Sequence, residues 1–287
     1  MWEIIDQVLL GDGVNEDAWG VEGNLAWVVD GSSSVSSERV VPDWESDGRW
    51  LVDRLCESFT QSGEASSDET LELVLGRAIQ FAATCAVEDW TGTPPVQPSA
   101  AVGLVRKVPG AIAYLVLADV SIIGRVGREA EEVSDQRADD GNVTARNALL
   151  SGVEDGRPMA EIRRELEPLL LAHRLDAMNQ PGGYWVASLD EEAVAHALSG
   201  EFVGASEVAL ATDGFMRSVR PFHLISDFDR LFAGGGTLGE LALTLRKMER
   251  EDGDCREFPR WNESDDLCAV HLRWQQDSQE LSGLGGH

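Results

Sequence analysis

Three acidic residues lie at the ends of predicted strands, where they could act together. One strand-forming run of the sequence ends at Asp30 and another ends at Asp213, and a glycine follows each acid. Asp265 comes just before a third strand-forming run. A single strand that ends in Asp-Gly is more often a turn than a ligand site. Independent turns, however, have no reason to place acids at matching strand ends, so the ordered set predicts a cluster of carboxylates.

A fourth acid is predicted to face Asp30 across a β-hairpin. The segments DAWGVE and LAWVVD flank Gly23-Asn24, which is typical of a two-residue hairpin loop. Pairing Glu22 with Leu25 places Asp17 directly opposite Asp30. Like charges in this arrangement destabilise a sheet unless a positive charge lies between them. The register therefore predicts two facing carboxylates at the open end of this hairpin.

These acids together predict a site for divalent cations. In an antiparallel sheet the end of one strand lies beside the start of its neighbour, so four acids are expected to gather at one sheet edge: Asp17, Asp30, Asp213 and Asp265. Ionised carboxylates that meet in this way repel each other unless cations or protons compensate. Oxygen ligands favour Mg²⁺ or Mn²⁺ over zinc. The glycine after Asp30 would let its own backbone carbonyl approach an ion.

Composition excludes several classes of partner. The 287 residues include 23 Lys and Arg against 51 Asp and Glu, and the net charge of −28 would repel both nucleic acid and an anionic membrane surface. The four cysteines are scattered, and Glu3 and Asp6 occupy the place where a signal peptide carries positive charge. No apolar run approaches membrane-spanning length. The sequence predicts a soluble, cytoplasmic protein.

The elements that would position the acids alternate in blocks. Strands are predicted within 2–30 and at 98–107, 111–119, 121–127, 182–189, 206–214 and 265–274. Helices are predicted at 46–59, 66–90 and 236–251. Residues 128–180 are polar with a helical pattern that Pro168 interrupts, and residues 276–287 indicate a disordered tail. This order favours antiparallel sheets with helices packed outside them.

At this point the sequence resembles the metal-dependent protein phosphatases of the protein phosphatase 2C type. The residues that carry the resemblance occur in the order and approximate spacing of that family: Asn15-Glu16-Asp17, Val28-Val29-Asp30-Gly31, Ala211-Thr212-Asp213-Gly214 and Asp265-Asp266-Leu267. Ala118-Asp119-Val120 resembles the Gly-Asp-Ser motif of the family. The match runs from residue 11 to about 274, so residues 1–275 are identified as a catalytic domain of this type.

The resemblance implies a fold and a metal centre. The fold would be α+β, a four-layer α-β-β-α sandwich of two antiparallel sheets flanked by helix pairs. Two Mn²⁺ or Mg²⁺ ions would bind at one end: Asp30 would bridge them, Asp213 and Asp265 would complete one, and the Gly31 carbonyl with Glu16 and Asp17 would serve the other. Asp119 with Asp213 would hold a third ion.

The resemblance also implies an activity. The chain would be a serine/threonine protein phosphatase that hydrolyses phosphoesters of phosphorylated proteins with a metal-activated water, and Asp30 and Asp213 would be its catalytic residues. Residues 128–180 would form the variable flap beside the site, either choosing the substrate or serving only as a packed lid.

The sequence departs from the family at three places. Asp12 stands where many members carry the arginine that binds the substrate phosphate, and Asp266 stands where the family has Asn. Serines follow Gly31 in place of a general acid, whose role would fall to water or to a residue elsewhere such as Arg39. These departures keep two alternatives open: a non-catalytic binding module with the same fold, and an enzyme for small-molecule phosphoesters.

Overall fold

The protein is built from two antiparallel sheets of five strands each. The computed structural model describes residues 1–32, 39–64, 69–94, 96–137 and 143–275. The predicted disordered tail at 276–287 lies outside these residues. Within the described ranges, no helix has the length and apolar character that crossing a membrane requires.

The first sheet carries the hairpin predicted from the sequence. Its strand order is β2-β3-β4-β5-β8, and its strands are β2 Asp17–Glu22, β3 Leu25–Ser32, β4 Ser99–Val108, β5 Ala111–Leu117 and β8 Leu198–Val203. Asp17 lies opposite Asp30 in the β2–β3 pairing, which confirms the predicted register. Strands β3 and β4 are buried along most of their length because both faces of this sheet are covered.

The second sheet contains both ends of the described chain. Its strand order is β1-β10-β9-β6-β7, and its strands are β1 Trp2–Leu10, β6 Ser121–Val126, β7 Glu129–Val133, β9 Glu207–Ala211 and β10 Leu267–Trp274. The first and last strands are therefore neighbours, and Trp2 is the register partner of Trp274.

Three apolar clusters hold the layers together. Valines and isoleucines from both sheets fill the space between them, including Val28, Val105, Val116, Ile122 and Val270. Helices α1 Asp47–Glu64 and α2 Leu71–Asp89 cover the outer face of the first sheet. Helix α6 Thr237–Glu251 and the 3₁₀ turn Phe228–Phe232 cover the outer face of the second. The predicted α+β sandwich, with its helix, sheet, sheet and helix layers, is confirmed.

The segment 128–180 is mostly helical, as its pattern predicts. It begins with strand β7, and helices α3 Val143–Glu154 and α4 Met159–Ala177 follow. Pro168 lies inside α4 and does not end it, which differs from the prediction. The carbonyl that Pro168 leaves without its helical donor belongs to Arg164, and because both residues are exposed, water can satisfy it.

The prediction of a strand at 182–189 is wrong. This segment makes only two isolated bridges, Met178 with Tyr184 and Ala187 with Ala100. The chain turns back on the end of α4 so closely that a Cβ on Gly183 would lie 2.0 Å from the carbonyl oxygen of Ala177. Tertiary packing therefore overrides the strand propensity of Tyr-Trp-Val in this segment.

The close approach at Gly183 leads to a test of stability. Because an added Cβ would overlap a backbone oxygen, Gly183→Ala should lower the free energy of unfolding by about 2 kcal/mol in urea titrations. Gly92→Ala, where the added Cβ would meet open space, is the matched control and should change it little. Equal stability of the two variants would contradict this account of the turn.

Candidate active site

Acids from both sheets meet at one end of the sandwich. Asp17 and Asp30 lie at the open end of the hairpin in the first sheet, whereas Asp213 follows β9 and Asp265 precedes β10 in the second. The Thr212 hydroxyl donates a hydrogen bond to Asp17 Oδ2 at 2.7 Å and so joins the two sheets. The sequence pattern predicts these acids at the edge of one sheet, whereas the structure places them across the gap between two sheets.

Burial and mutual repulsion act strongly on these carboxyls. Burial raises the pKa of Asp30 well above its usual range, and the charges of Asp17, Asp213, Asp119 and Asp265 raise it further. Burial, with the neighbouring acids, also raises the pKa of Asp17, although the hydrogen bond from Thr212 opposes the change. Because several ionised carboxylates lie within reach of each other, the group is costly until protons or cations compensate it. We call Asp17, Asp30, Asp119, Asp213 and Asp265 the acid cluster.

Arg217 compensates one side of the acid cluster. Its guanidinium donates to Asp265 Oδ2 at 2.6 Å and to Glu249 Oε1 at 3.4 Å. Burial and the charge of Asp213 nevertheless raise the pKa of Asp265 to about 6. Arg217 is not among the residues predicted from the sequence, although its place four residues after Asp213, one helical turn along the chain, is a usable signal.

Glu16 connects the hairpin to its surroundings through its backbone. Its amide donates to Asp266 Oδ2 at 2.7 Å, and its carbonyl accepts from the Gly31 amide at 3.0 Å. Its carboxylate accepts a hydrogen bond from the Ser46 hydroxyl just before α1. Asp266, which stands where the resembling family has Asn, therefore orders the loop that carries Glu16 and Asp17.

Close backbone packing explains why a glycine follows Asp213. A Cβ on Gly214 would lie 1.8 Å from the carbonyl oxygen of Asp266, so the start of helix α5 Asp213–Met216 and the chain before β10 touch through their backbones. This contact brings Asp213 beside Asp265. Gly214 is thus required because the start of α5 approaches the chain before β10 too closely for a side chain. The Asp213-Gly214 pair is not a hairpin turn.

Asp119 reaches the cluster from a strained turn. Ala118, the residue before it, has a φ of 67°, in the left-handed region that favours glycine. The resembling family carries Gly at this position. The carbonyl of Ala118 accepts from the Asp135 amide at 3.2 Å, and this bond helps to hold the turn.

The acid cluster opens into a cavity of about 410 Å³, a volume typical of small-molecule sites. Asp30, Gly31, Asp119, Asp213 and Asp265 line it from the two sheets, and Asp17 is buried behind them. Helix α4 and two loops form the other walls through Leu170, His173, Arg174, Tyr184, Trp261 and Asn262. The predicted flap segment therefore contributes directly to the cavity.

The donor set of this cavity fits a hydrated hard cation. In the part of the chain that the structure describes, no three His, Cys, Asp or Glu side chains are arranged so that they alone could hold an ion. Mg²⁺ and Mn²⁺ sites commonly keep several water ligands and need only one or two protein carboxylates for each ion. An ion at the cavity would also replace the repulsion among the acids with attraction.

Comparison with known proteins identifies the fold. No protein-family model matches the sequence, and no curated protein sequence matches it. Among solved structures, the serine/threonine phosphatase PstP/Ppp of Mycobacterium tuberculosis matches with a TM-score of 0.55 at 12% identity, over 96% of this chain and 99% of that one. The chain has the fold of bacterial serine/threonine phosphatases.

Two other solved structures agree with this result. Stp1 of Staphylococcus aureus matches with a TM-score of 0.51 at 13% identity, over 96% of both chains. The PstP catalytic domain in complex with two manganese ions matches with a TM-score of 0.51 at 13% identity, over 95% of this chain and 97% of that one. At this identity the likeness establishes the fold and leaves the chemistry to be argued from the residues.

The hydrogen bond between Thr212 and Asp17 leads to a second test. Thr212→Val leaves the buried Asp17 carboxylate without this donor, so the free energy of unfolding should fall by about 1–3 kcal/mol in urea titrations at pH 7. Thr212→Ser keeps the hydroxyl and should recover most of the loss. A valine variant as stable as the parent protein would show that the bond does not tie the sheets together.

The acid cluster also leads to a test of pH dependence. Because the folded pKa of Asp30 lies above its unfolded value near 4, its contribution to stability is present below pH 4 and is lost as the pH rises through the folded pKa. In EDTA at pH 7.5, Asp30→Asn should therefore melt at least about 3 °C higher than the parent protein, and the advantage should shrink at pH 4.5.

Circular dichroism melts at the two pH values measure this difference, and Asp43→Asn, at an exposed acid outside the cavity, is the control. An Asp30→Asn variant no more stable than the parent at pH 7.5 would contradict the proposed repulsion.

Proposed function

We propose that this chain is a metal-dependent protein phosphatase that hydrolyses phosphoserine or phosphothreonine in proteins. Residues 1–275 would be its catalytic domain. The observation that supports this proposal most is the convergence of the acid cluster on one open cavity in a fold shared with PstP and Stp1. Such a cluster only lowers stability when it binds no cation, which favours a metal-dependent role.

We assign the metal ligands as the motif resemblance implies. Asp30 would lie between two Mn²⁺ or Mg²⁺ ions, with Asp213 and Asp265 completing one of them. The Gly31 carbonyl with Asp17 and Glu16 would serve the other, directly or through water, and Asp119 with Asp213 would hold a third. When bound, such ions lower the pKa of a water molecule toward 7 and neutralise charge on a phosphoryl group.

The residues of the chain itself have separable roles in this proposal. Asp30 and Asp213 provide carboxylate oxygens at the cavity, and Thr212 fixes the orientation of Asp17 behind them. Arg217 orients the Asp265 carboxylate through a hydrogen bond. Asp266 supports the backbone of Glu16, and so its role is positional. No covalent intermediate on the protein is required.

Phosphoproteins are the proposed partners because PstP and Stp1 are serine/threonine phosphatases. The open cavity with a volume of about 410 Å³ admits a phosphorylated side chain that projects from a protein surface. The net charge of −28 disfavours nucleic acid and anionic membranes as partners. The cytoplasmic location stays a prediction from the sequence.

A binding module without turnover is the second candidate. One observation favours it: Asp12 stands where the resembling family carries its phosphate-binding arginine. In this case the chain would keep the fold and the cavity without useful turnover.

Hydrolysis of p-nitrophenyl phosphate with and without Mn²⁺ tests the proposed function. Turnover should require Mn²⁺, and Asp30→Asn should lower kcat/KM by roughly 100-fold or more because it removes the carboxylate assigned to both ions. Asp43→Asn is the matched control and should leave the rate unchanged.

Two outcomes would redirect the proposal. Calorimetric binding of Mn²⁺ without turnover on the ester or on phosphoserine peptides would support the binding module. Turnover of small phosphoesters without turnover of phosphopeptides would assign a small-molecule substrate.

A further inference from the structure

One arginine from the flap segment enters the cavity beside the acid cluster. Arg174 lines the cavity together with Asp30, Asp119, Asp213 and Asp265, and it is the one lysine or arginine among the described lining residues. Its guanidinium donates to Ser99 Oγ at 2.8 Å and to Ser32 Oγ at 3.2 Å. The cavity therefore combines a carboxylate side, suited to cations, with a guanidinium on another wall, suited to an anion.

The backbone holds Arg174 firmly at this place. It lies in the last turn of α4, where the helix dipole favours a positive charge. The chain then folds back: the Met178 amide donates to the Arg174 carbonyl at 3.1 Å, and the Asn179 amide donates to the Tyr184 carbonyl at 2.8 Å. The bridge between Ala187 and Ala100 ties this turn to β4 of the first sheet.

The base of the helix pair is also anchored. Helices α3 and α4 pack on each other and on the loop before β10 through Leu149, Ile162, Leu166, Cys255 and Trp261. The Arg163 guanidinium donates to Cys255 Sγ at 3.1 Å. Since α4 is held at its start, at its middle and at its end, Arg174 has a defined position relative to the acid cluster.

The position that carries the phosphate-binding arginine in the resembling family is not part of this cavity. Asp12 stands there, and its carboxylate accepts a hydrogen bond from the Ser264 hydroxyl at 3.1 Å. Arg39, which the sequence offered only as a substitute general acid, donates to the carbonyls of Trp44 and Glu45 and does not line the cavity. A guanidinium that contacts the phosphate would therefore have to come from another element.

We infer that Arg174 binds the phosphoryl group of the substrate in this chain, a role that rests on the proposed phosphatase function. Its planar guanidinium can donate two parallel hydrogen bonds to phosphoryl oxygens, which lysine cannot reproduce. Its acceptors include the Ser32 and Ser99 hydroxyls and the Ser32 carbonyl at 3.4 Å, which are neutral groups, so a phosphate dianion would be a stronger partner for the same donors. Both serines also line the cavity and can donate hydrogen bonds to the phosphate.

The test compares three arginine variants of the full chain in Mn²⁺. Arg174→Gln should lower kcat/KM for p-nitrophenyl phosphate roughly 10- to 100-fold and raise the inhibition constant of inorganic phosphate by a similar factor. Arg174→Lys should recover part of the lost activity and phosphate affinity, since lysine restores the positive charge but not the two parallel donors of a guanidinium. Arg164→Gln removes a charge from the exposed face of the same helix and should change neither constant.

The readouts separate this inference from the proposed function. If the parent protein is active and Arg174→Gln keeps both constants within twofold, the inference is wrong and the phosphatase function stands. If the parent protein is inactive, calorimetric titration with inorganic phosphate tests the inference. A tenfold lower phosphate affinity in Arg174→Gln than in the parent protein supports the role of Arg174. Equal binding by the two proteins, or no binding by either, overturns it. Melting curves of each variant show whether it is folded, and the lysine variant provides the comparison if the glutamine variant is not.

Discussion

The repulsion among carboxylates from two different sheets is the constraint that the rest of this structure accommodates. Asp17 is only 1% exposed and faces Asp30 across the hairpin, while Asp213 and Asp265 approach from the second sheet. The hydrogen bond from Thr212 to Asp17 crosses this junction directly. Thr212 also accepts from the Cys268 amide at 2.9 Å, so one hydroxyl connects β9, β10 and the hairpin. An uncompensated group of acids would push the two sheets apart at this end, and a cation among them would hold the sheets together.

Positive side chains of the protein compensate the acid cluster on one side only. Arg217 and Arg246 surround Glu249, which is 1% exposed, and Arg217 also binds Asp265. This network neutralises the acids where the second sheet meets α6. It also fixes the orientation of the Asp265 carboxylate. Asp265 belongs both to this network and to the lining of the cavity, where Asp30 and Asp213 also face an incoming ligand. The network therefore ends at the cavity, and Asp265 links the acids that stabilise the fold to those that are available for chemistry.

The sequence predicts the site better where local rules decide the geometry. The register of Asp17 and Asp30 follows from the length of a hairpin loop, and the structure confirms it because a two-residue turn leaves little freedom. The meeting of Asp213 with Asp30 follows only in outline, because strand-end patterns do not reveal which sheet each strand joins. The segment around Tyr184 was mispredicted as a strand because its propensity is outweighed by the contact of Gly183 with Ala177. Arg174 had no local signal at all, since its place depends on how that segment folds back onto β4.

The position of Arg174 has a consequence for how this cavity would choose its ligand. In the resembling family the phosphate-binding arginine precedes the first acidic motif, so the flap can vary without changing that contact. In this chain the guanidinium is carried by the flap helix itself, next to His173 and one turn after Leu170, which line the same cavity. Any change in the packing of α4 on Cys255 or Trp261 would then alter the cavity wall and the position of the positive charge together. If Arg174 binds the phosphate, phosphate affinity and substrate shape would be coupled through one helix, and the flap could not diverge independently of the chemistry beside it.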